Sequence, residues 1–427
     1  MTTKTNIPAG YKDSAVGIIP QEWEVRTCQE LGSMLGTNTL SRDKMNECSG
    51  CAQNIHYGDV LVKYGEVLDC TSMNIPWINS DYGNANLGTN LQNGDVVISD
   101  TAEDYTVGKA TEVQGVGTKI VLSGLHTIAF RPNVGMFASN FLGYYFNSTI
   151  YRAQLYPLIQ GIKVCSISKK AISNTKLAVP PMEEQRKIAE ILGAWDEAIE
   201  KQSRLIEKLE LRKRALMQRL LTGRTRLSGF TTPWQKRRMK DCFEHITDTS
   251  NGCEYLPMTI SARLGLISQK DKFDRVIAGD SLKKYTHIQK GDFAYNKGNS
   301  NLYEMGCIYR LKEQDAVVPF VYICFRPKQN VIGEFYQHFF INHGLDRQLK
   351  RIITSGARGD GLLNVDKTDF FELEIVYPPI AEQKAIAKVL TAADNEIATH
   401  RKKLDALRLQ KRGLMQQLLT GKTRVKI

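Results

Sequence analysis

The chain has 427 residues, room for two or more domains, with 42% hydrophobic and 24% charged residues, an ordinary soluble balance. No apolar run approaches 18 residues and the first residues lack an apolar signal core, so neither a membrane span nor a secretory leader is expected. The formal charge of +12 points to a polyanionic partner, nucleic acid first, and nine cysteines without a spacing framework fit reduced thiols in a cytoplasm.

Residues 1–179 form a long mixed region whose 14 Lys+Arg are offset by 15 Asp+Glu, so the basic excess lies further on. Trp23 marks its start after Pro20-Gln21-Glu22. Gln92-Asn93-Gly94-Asp95 reads as a turn entering the alternating strand Val96-Val97-Ile98. Phe130-Arg131-Pro132 follows, then a helical patch near 136–155 and a Gly161-Ile162-Lys163 turn. Cys48-Ser49-Gly50-Cys51, with His56 and Cys70 nearby, is a lone CxxC without a second pair at finger spacing; ordinary loop thiols and no metal are expected.

Residues 180–226 are of another kind. Pro180-Pro181 ends a strand, Glu183-Glu184-Gln185 favours a helix start, and apolar residues then step 4-3-4-3. The seam runs Ile188, Leu192, Trp195, Ile199, Gln202, Ile206, Leu209, Lys213, Leu216 and Leu220. This spacing predicts a coiled-coil helix of about 37 residues, roughly 55 Å long, stopped by Leu221-Thr222-Gly223 with Gly223 as C′ cap. Residues 227–377 form a second mixed region that repeats the marks of the first: Trp234, Gln289-Lys290-Gly291-Asp292, Phe325-Arg326-Pro327, a helical patch near 333–351 and Gly356-Ala357-Arg358. Residues 378–427 then restate 180–226 at an offset of 198, without a gap and with about half the positions identical. The second seam is Ile386, Leu390, Ala393, Ile397, His400, Leu404, Leu407, Lys411, Leu414 and Leu418, with Gly421 as the cap. Charge rises along the chain, to 11 Lys+Arg against 4 Asp+Glu in this last segment.

The chain is therefore expected to be an α+β molecule of two mixed domains, 1–179 and 227–377, joined by a central helix (180–226) and a distal helix (378–427). The helices are expected to pair within the chain as an antiparallel coiled coil, giving a pseudo-twofold rod with a domain near each end. The two helix midpoints place Gln202 opposite His400, a polar layer that would fix register. No Walker A sequence, Gly-rich cofactor fingerprint, nuclease carboxylate set or Ser-His-Asp arrangement stands out, and the chain reads as a binder.

The duplicated Pro-Pro-x-x-Glu-Gln-x-x-Ile-Ala openings, the Leu-Leu-Thr-Gly-Arg/Lys-Thr-Arg exits and the two tryptophan-marked starts resemble the specificity (S) subunit of Type I restriction–modification systems over essentially the whole chain. The resemblance implies a non-catalytic chain whose two target-recognition domains each read one half of an asymmetric, split double-stranded DNA sequence. It also implies that the helices set the spacer and hold two modification subunits. Those partners carry S-adenosylmethionine, no cofactor being expected in this chain, and methylate adenine N6; restriction subunits complete the nuclease. A chain of this kind that stands alone could instead donate specificity, and a coiled-coil protein-binding scaffold or a self-contained methyltransferase or nuclease is the reading from other classes.

Base reading needs bidentate donors and acceptors. The candidates are Lys63, Tyr64, Tyr105, Lys109 and Lys163 in the first domain, and Arg263, Tyr295, Asn296, Lys297, Asn299, Asn301, Ser355 and Arg358 in the second.

Overall fold

The computed structural model describes residues 7–83, 87–249, 255–273, 279–298, 302–353 and 363–426. The chain divides into two compact units, one of residues 1–203 and 403–427 and the other of residues 204–402. Each unit therefore holds one mixed domain, one end of the central helix and the opposite end of the distal helix.

The first unit is built on two sheets. A five-stranded sheet runs in the order Gly32–Met34, Thr127–Pro132, Val96–Ser99, Ala110–Gln114, Val67–Asp69. A four-stranded sheet runs Val121–Ser123, Gln53–Ile55, Trp77–Ile78, Met45–Asn46. The Gly94 turn takes φ +90°, the left-handed region that glycine enters without steric cost, and delivers the chain into Val96–Ser99, buried at all four positions. The helical patch resolves into Phe141–Phe146 and Thr149–Leu155. Both pack on a core containing Trp23, Phe130, Phe141, Tyr145 and Tyr151.

The second unit repeats this frame. One sheet runs Phe243–Ile246, Ile323–Pro327, Phe293–Asn296, Cys307–Arg310, and the other Gly265–Ser268, Leu256–Ser261, Ala316–Val318, Thr286–Ile288. In each unit one strand pair of the second sheet is parallel, Val121–Ser123 with Gln53–Ile55 and Leu256–Ser261 with Ala316–Val318. The fifth strand, Val67–Asp69, has no counterpart among the described strands of the second unit.

The long helices span Met182–Leu220 and Ile380–Leu418. Each has 39 residues, close to the expected length. Gln185 and Gln383 donate their N–H groups to the carbonyls of Pro181 and Pro379, so the prolines serve as acceptors where a helix needs no donor from them. Gly223 and Gly421 both take φ +69°, as a C′ residue does. Leu221 and Leu419 beside them are buried at 2% and 0% exposure.

The predicted seam is the buried face of both helices. Ile188, Leu192, Ile206, Leu209, Ile386, Leu390, Ile397 and Leu404 are buried, and Trp195, Ile199 and Leu407 are half-buried. In the first unit Lys411 of the distal helix donates to Asp196 of the central helix at 2.5 Å. In the second, Lys213 donates to Asp394 at 2.5 Å, Arg401 pairs with Glu210, and Arg212 with Glu396. Rising numbers on one helix meet falling numbers on the other, so the pairing within each unit is antiparallel.

Each seam lysine is mostly buried and has a carboxylate within reach on the other helix, as a buried ammonium needs. Among the described residues no helix is long and apolar enough to cross a membrane.

One buried acid in the first unit has a pH consequence. Glu112 is 1% exposed and accepts from the N–H groups of Asn140 and Gly143. Burial outweighs these bonds and pushes its carboxyl up to about 7. Between the unfolded value and about 7 the folded form keeps a proton that the unfolded form has lost. The stability this proton confers is therefore complete in acid and fades as pH rises through 7, by about 3 kcal/mol. Urea midpoints of wild type and Glu112→Gln at pH 5 and pH 8 should show the wild type losing more than the variant; equal losses would mean the carboxyl titrates normally.

Candidate nucleic-acid interface

Two sequence marks shared by the mixed domains prove to be the struts of the frame. Arg131 of Phe-Arg-Pro clamps Asp95 of the Gly-Asp turn with both guanidinium arms, at 2.9 and 2.6 Å. Arg326 clamps Asp292 at 2.7 Å through both arms. Each aspartate is 1% exposed and also accepts the N–H of Gln92 or Gln289. A buried charge so satisfied holds two strands and their turn in place. It carries no surface, so these residues build the platform and leave reading to what the platform displays.

In the first unit the predicted residues fall into two local groups, Lys63 with Lys109 and Tyr105 with Lys163. Lys109 donates to the carbonyl of Leu61 at the end of the Tyr57–Val62 helix, and Lys63 follows that helix, exposed. Partial burial lowers the Lys109 ammonium below the usual lysine range. Arg152 donates to the carbonyls of Tyr105 and Val107 at 2.5 and 2.8 Å and lies over the Tyr156 ring. Tyr105 meets Tyr156 edge-on at 6.4 Å. Lys163 is exposed in the turn before Cys165–Ser166, and that strand pairs with Thr101–Ala102 close to Tyr105. Gly161 is required in the turn: its φ is +98°, and a Cβ there would meet the carbonyl oxygen of Val164 at 2.0 Å.

Tyr64 is a correction. It lies 2% exposed in the core with Ile55, Val60 and Leu68, and presents no surface to a duplex. Its place on the apolar side of the short helix end decides this, and neighbouring Lys63 takes the exposed side.

Sequence reasoning missed Arg152 and Tyr156, and it marked Ile162 only as part of a turn. The available signal was charge: residues 151–179 contain five Lys/Arg and no Asp/Glu. A near-neutral domain thus carries a strongly basic segment.

In the second unit Arg263 sits exposed in the turn between Leu256–Ser261 and Gly265–Ser268. Tyr309 donates to the carbonyl of Ala262 at 2.6 Å, holding that turn over Cys307–Arg310. Cys307–Arg310 pairs with Phe293–Asn296, which carries Asn296 at its end and Lys297 just beyond. Asn296 and Lys297 are half-buried, and Asn296 accepts the N–H of Gly298 to shape the loop start. Tyr295 is the second correction. It is 0% exposed, stacked on Phe370 and donating to the carbonyl of Met305, because strand alternation turns it into the core. Asn299, Asn301, Ser355 and Arg358 lie outside the described residues.

The CxxC is explained by packing. Asn46 accepts the N–H groups of Cys48 and Ser49, and a Cβ on Gly50 would meet the carbonyl oxygen of Ile78 at 1.9 Å. Among the described residues no group of three His, Cys, Asp or Glu side chains gathers to hold a metal.

The duplicated helix motif has its own geometry. Glu184 accepts from Trp23 at 2.8 Å and from both arms of Arg424 at 2.7 and 2.9 Å. Glu382 accepts from Trp234 at 2.9 Å and from both arms of Arg226 at 2.6 Å. Each glutamate opens one copy of the motif and each arginine closes the other copy. Gln185 and Gln383 beside them receive the N–H groups of Ala138 and Ile332, tying each helix start to its domain.

The family model described as Type I restriction modification DNA specificity domain matches residues 20–211 and 276–409. The putative type I restriction enzyme MjaX specificity subunit of Methanocaldococcus jannaschii is 25% identical over 449 residues, covering 97% of each chain. The EcoKI specificity subunit of Escherichia coli is 22% identical over 280 residues, 60% of this chain and 59% of its own. Among solved structures, the S subunit of a type I system from M. genitalium aligns over 100% of both chains at 13% identity with a TM-score of 0.53. A chain from a type I R-M system solved to describe complex assembly and conformational transition covers 95% of this chain and 99% of its own, at 15% identity and TM-score 0.59.

Proposed function

Because the chain belongs to the Type I restriction–modification DNA specificity family, we propose that each of its units reads one half of an asymmetric, bipartite double-stranded DNA target. The observation that carries this is one frame bearing two different surfaces. The Asp–Arg struts and Glu–Arg–Trp clasps recur in both units. The candidate reading side chains differ: exposed Lys63, Tyr105 and Lys163 in one, exposed Arg263 and half-buried Lys297 in the other.

The chain itself contributes recognition and no chemistry. Phosphate contacts from its lysines and arginines fix register, and the loop side chains reach base edges. Tight binding draws on the partners, since the first domain is close to neutral overall. The two helices set the unread gap and dock two modification subunits, which bring S-adenosylmethionine for adenine-N6 methylation; restriction subunits join that core. Docking in two copies is supported by an exposed leucine at matching positions, Leu211 at 61% and Leu409 at 66%, each followed three residues on by an exposed arginine, Arg214 or Arg412.

The test is a methylation map. A methylation-free host that co-expresses the chain with a modification subunit should acquire N6-methyladenine at one split motif whose two parts differ. A palindromic motif would overturn the two-surface reading.

A further inference from the structure

Several large apolar side chains stand far out of the first unit, Val62 at 87% and Val134 at 103% among them, and one lobe carries four. Ile162 is 97% exposed, Val164 58%, Tyr105 66% and Tyr156 52%. They share one lobe: Gln160 and Ser166 bridge its base, Cys165–Ser166 pairs with Thr101–Ala102, and the Tyr105–Tyr156 contact closes its flank. Gly161, locked at φ +98°, holds Ile162 outward. Nothing in the fold gains from this, since an exposed isoleucine contributes no burial. A clustered apolar patch on a soluble surface marks a contact site.

The occupant is indicated by charge. The tip of the lobe belongs to the segment 151–179, with five cations and no anion, and Lys163 sits between Ile162 and Val164, while Glu103 and Asp104 lie exposed on the facing stretch before Tyr105. The cationic tip suits a polyanion. On duplex DNA a side chain such as isoleucine has one apolar partner it can reach without unstacking bases, the thymine C5-methyl group in the major groove. The major groove, about 12 Å wide, admits a two-stranded ribbon, whereas the minor groove, about 6 Å wide, would accept it only after bases are prised apart.

We infer that the lobe tipped by Ile162 enters the major groove of the half-site read by the first unit and that Ile162 reads a thymine methyl there. This rests on the DNA-reading function proposed above and names the residue and the group it reads. Lys163 holds the adjacent phosphate, and Tyr105 and Tyr156 brace the lobe.

The experiment uses the complex of this chain with its modification subunits and a duplex carrying the mapped target. Each thymine of the half-site is replaced singly by deoxyuridine, which removes the methyl group and leaves the base pairing intact. One replacement should weaken binding about 3- to 10-fold. Ile162→Ala should weaken binding to the natural duplex by a similar factor and bind the matching deoxyuridine duplex no worse. The thermal midpoint of the variant should be unchanged, because the side chain is in solvent. Full affinity of Ile162→Ala with an intact deoxyuridine effect would overturn the inference, as would a half-site made of G·C pairs alone. Loss of modification-subunit association by Ile162→Asp without DNA would make the lobe a protein interface instead. None of these results touches the proposed specificity role, which fails only if the chain directs no methylation at all.

Discussion

Arg226→Met should destabilise the start of the distal helix and the second unit by about 3–5 kcal/mol. The methionine fills much of the arginine stem's volume, so packing changes little. What remains is the Glu382 carboxylate, 0% exposed as a side chain, with the Trp234 N–H as the partner left from the clasp. Removing one member of a buried pair leaves an uncompensated charge, and that is the costly case. Arg424→Met should do the same in the first unit, where Glu184 is 1% exposed as a side chain and keeps Trp23. Arg226→Lys keeps the charge but loses the planar fork that matches both carboxylate oxygens, and should recover part of the loss. The measurement is amide hydrogen exchange over residues 380–390 together with urea unfolding. A cost below about 1 kcal/mol would mean the clasp is a surface ion pair in energetic terms.

Leu211→Asp and Leu409→Asp should each remove one modification subunit from the complex, and the double variant should remove both. The two leucines are among the largest exposed apolar side chains of the helices, and they face away from the buried seam. Burying such a side chain contributes about 1.5–3 kcal/mol. Replacing it with a carboxylate in a desolvated contact adds a penalty of its own. The combined loss exceeds 100-fold in affinity per site by that arithmetic. Native mass spectrometry of the co-expressed proteins reads copy number directly. Folding should be unaffected, because both positions are in solvent in the isolated chain. Two bound copies on the double variant would move the docking face elsewhere on the helices.

The long helices were legible because their chemistry is periodic. A 4-3 apolar step over ten positions has no other stable reading, and the Pro-Pro and Leu-Leu-Thr-Gly borders are local signals. The pairs of Lys213 with Asp394 and of Lys411 with Asp196 were not legible, because a lysine in a seam looks like an interruption until its partner is seen. The Glu-Gln of the motif was visible as a helix start, but not as the receptor of an arginine some 156 or 240 residues away. Tyr64 and Tyr295 were misplaced for a simpler reason: in a short helix end or a strand, one position decides whether an aromatic faces core or solvent. The closeness of Tyr105 to Lys163, and of Lys109 to the helix end before Lys63, comes from contacts that sequence spacing does not contain, above all the pairing of Thr101–Ala102 with Cys165–Ser166.

The central claim is that this chain selects the DNA sequence on which a modification subunit acts. Single-molecule sequencing of N6-methyladenine in a methylation-free host tests it most directly, comparing the modification subunit alone with the same subunit plus this chain. The account predicts a split, asymmetric motif with an unread gap, methylated only when the chain is present. No new methylation, with both proteins soluble and associated, would contradict it.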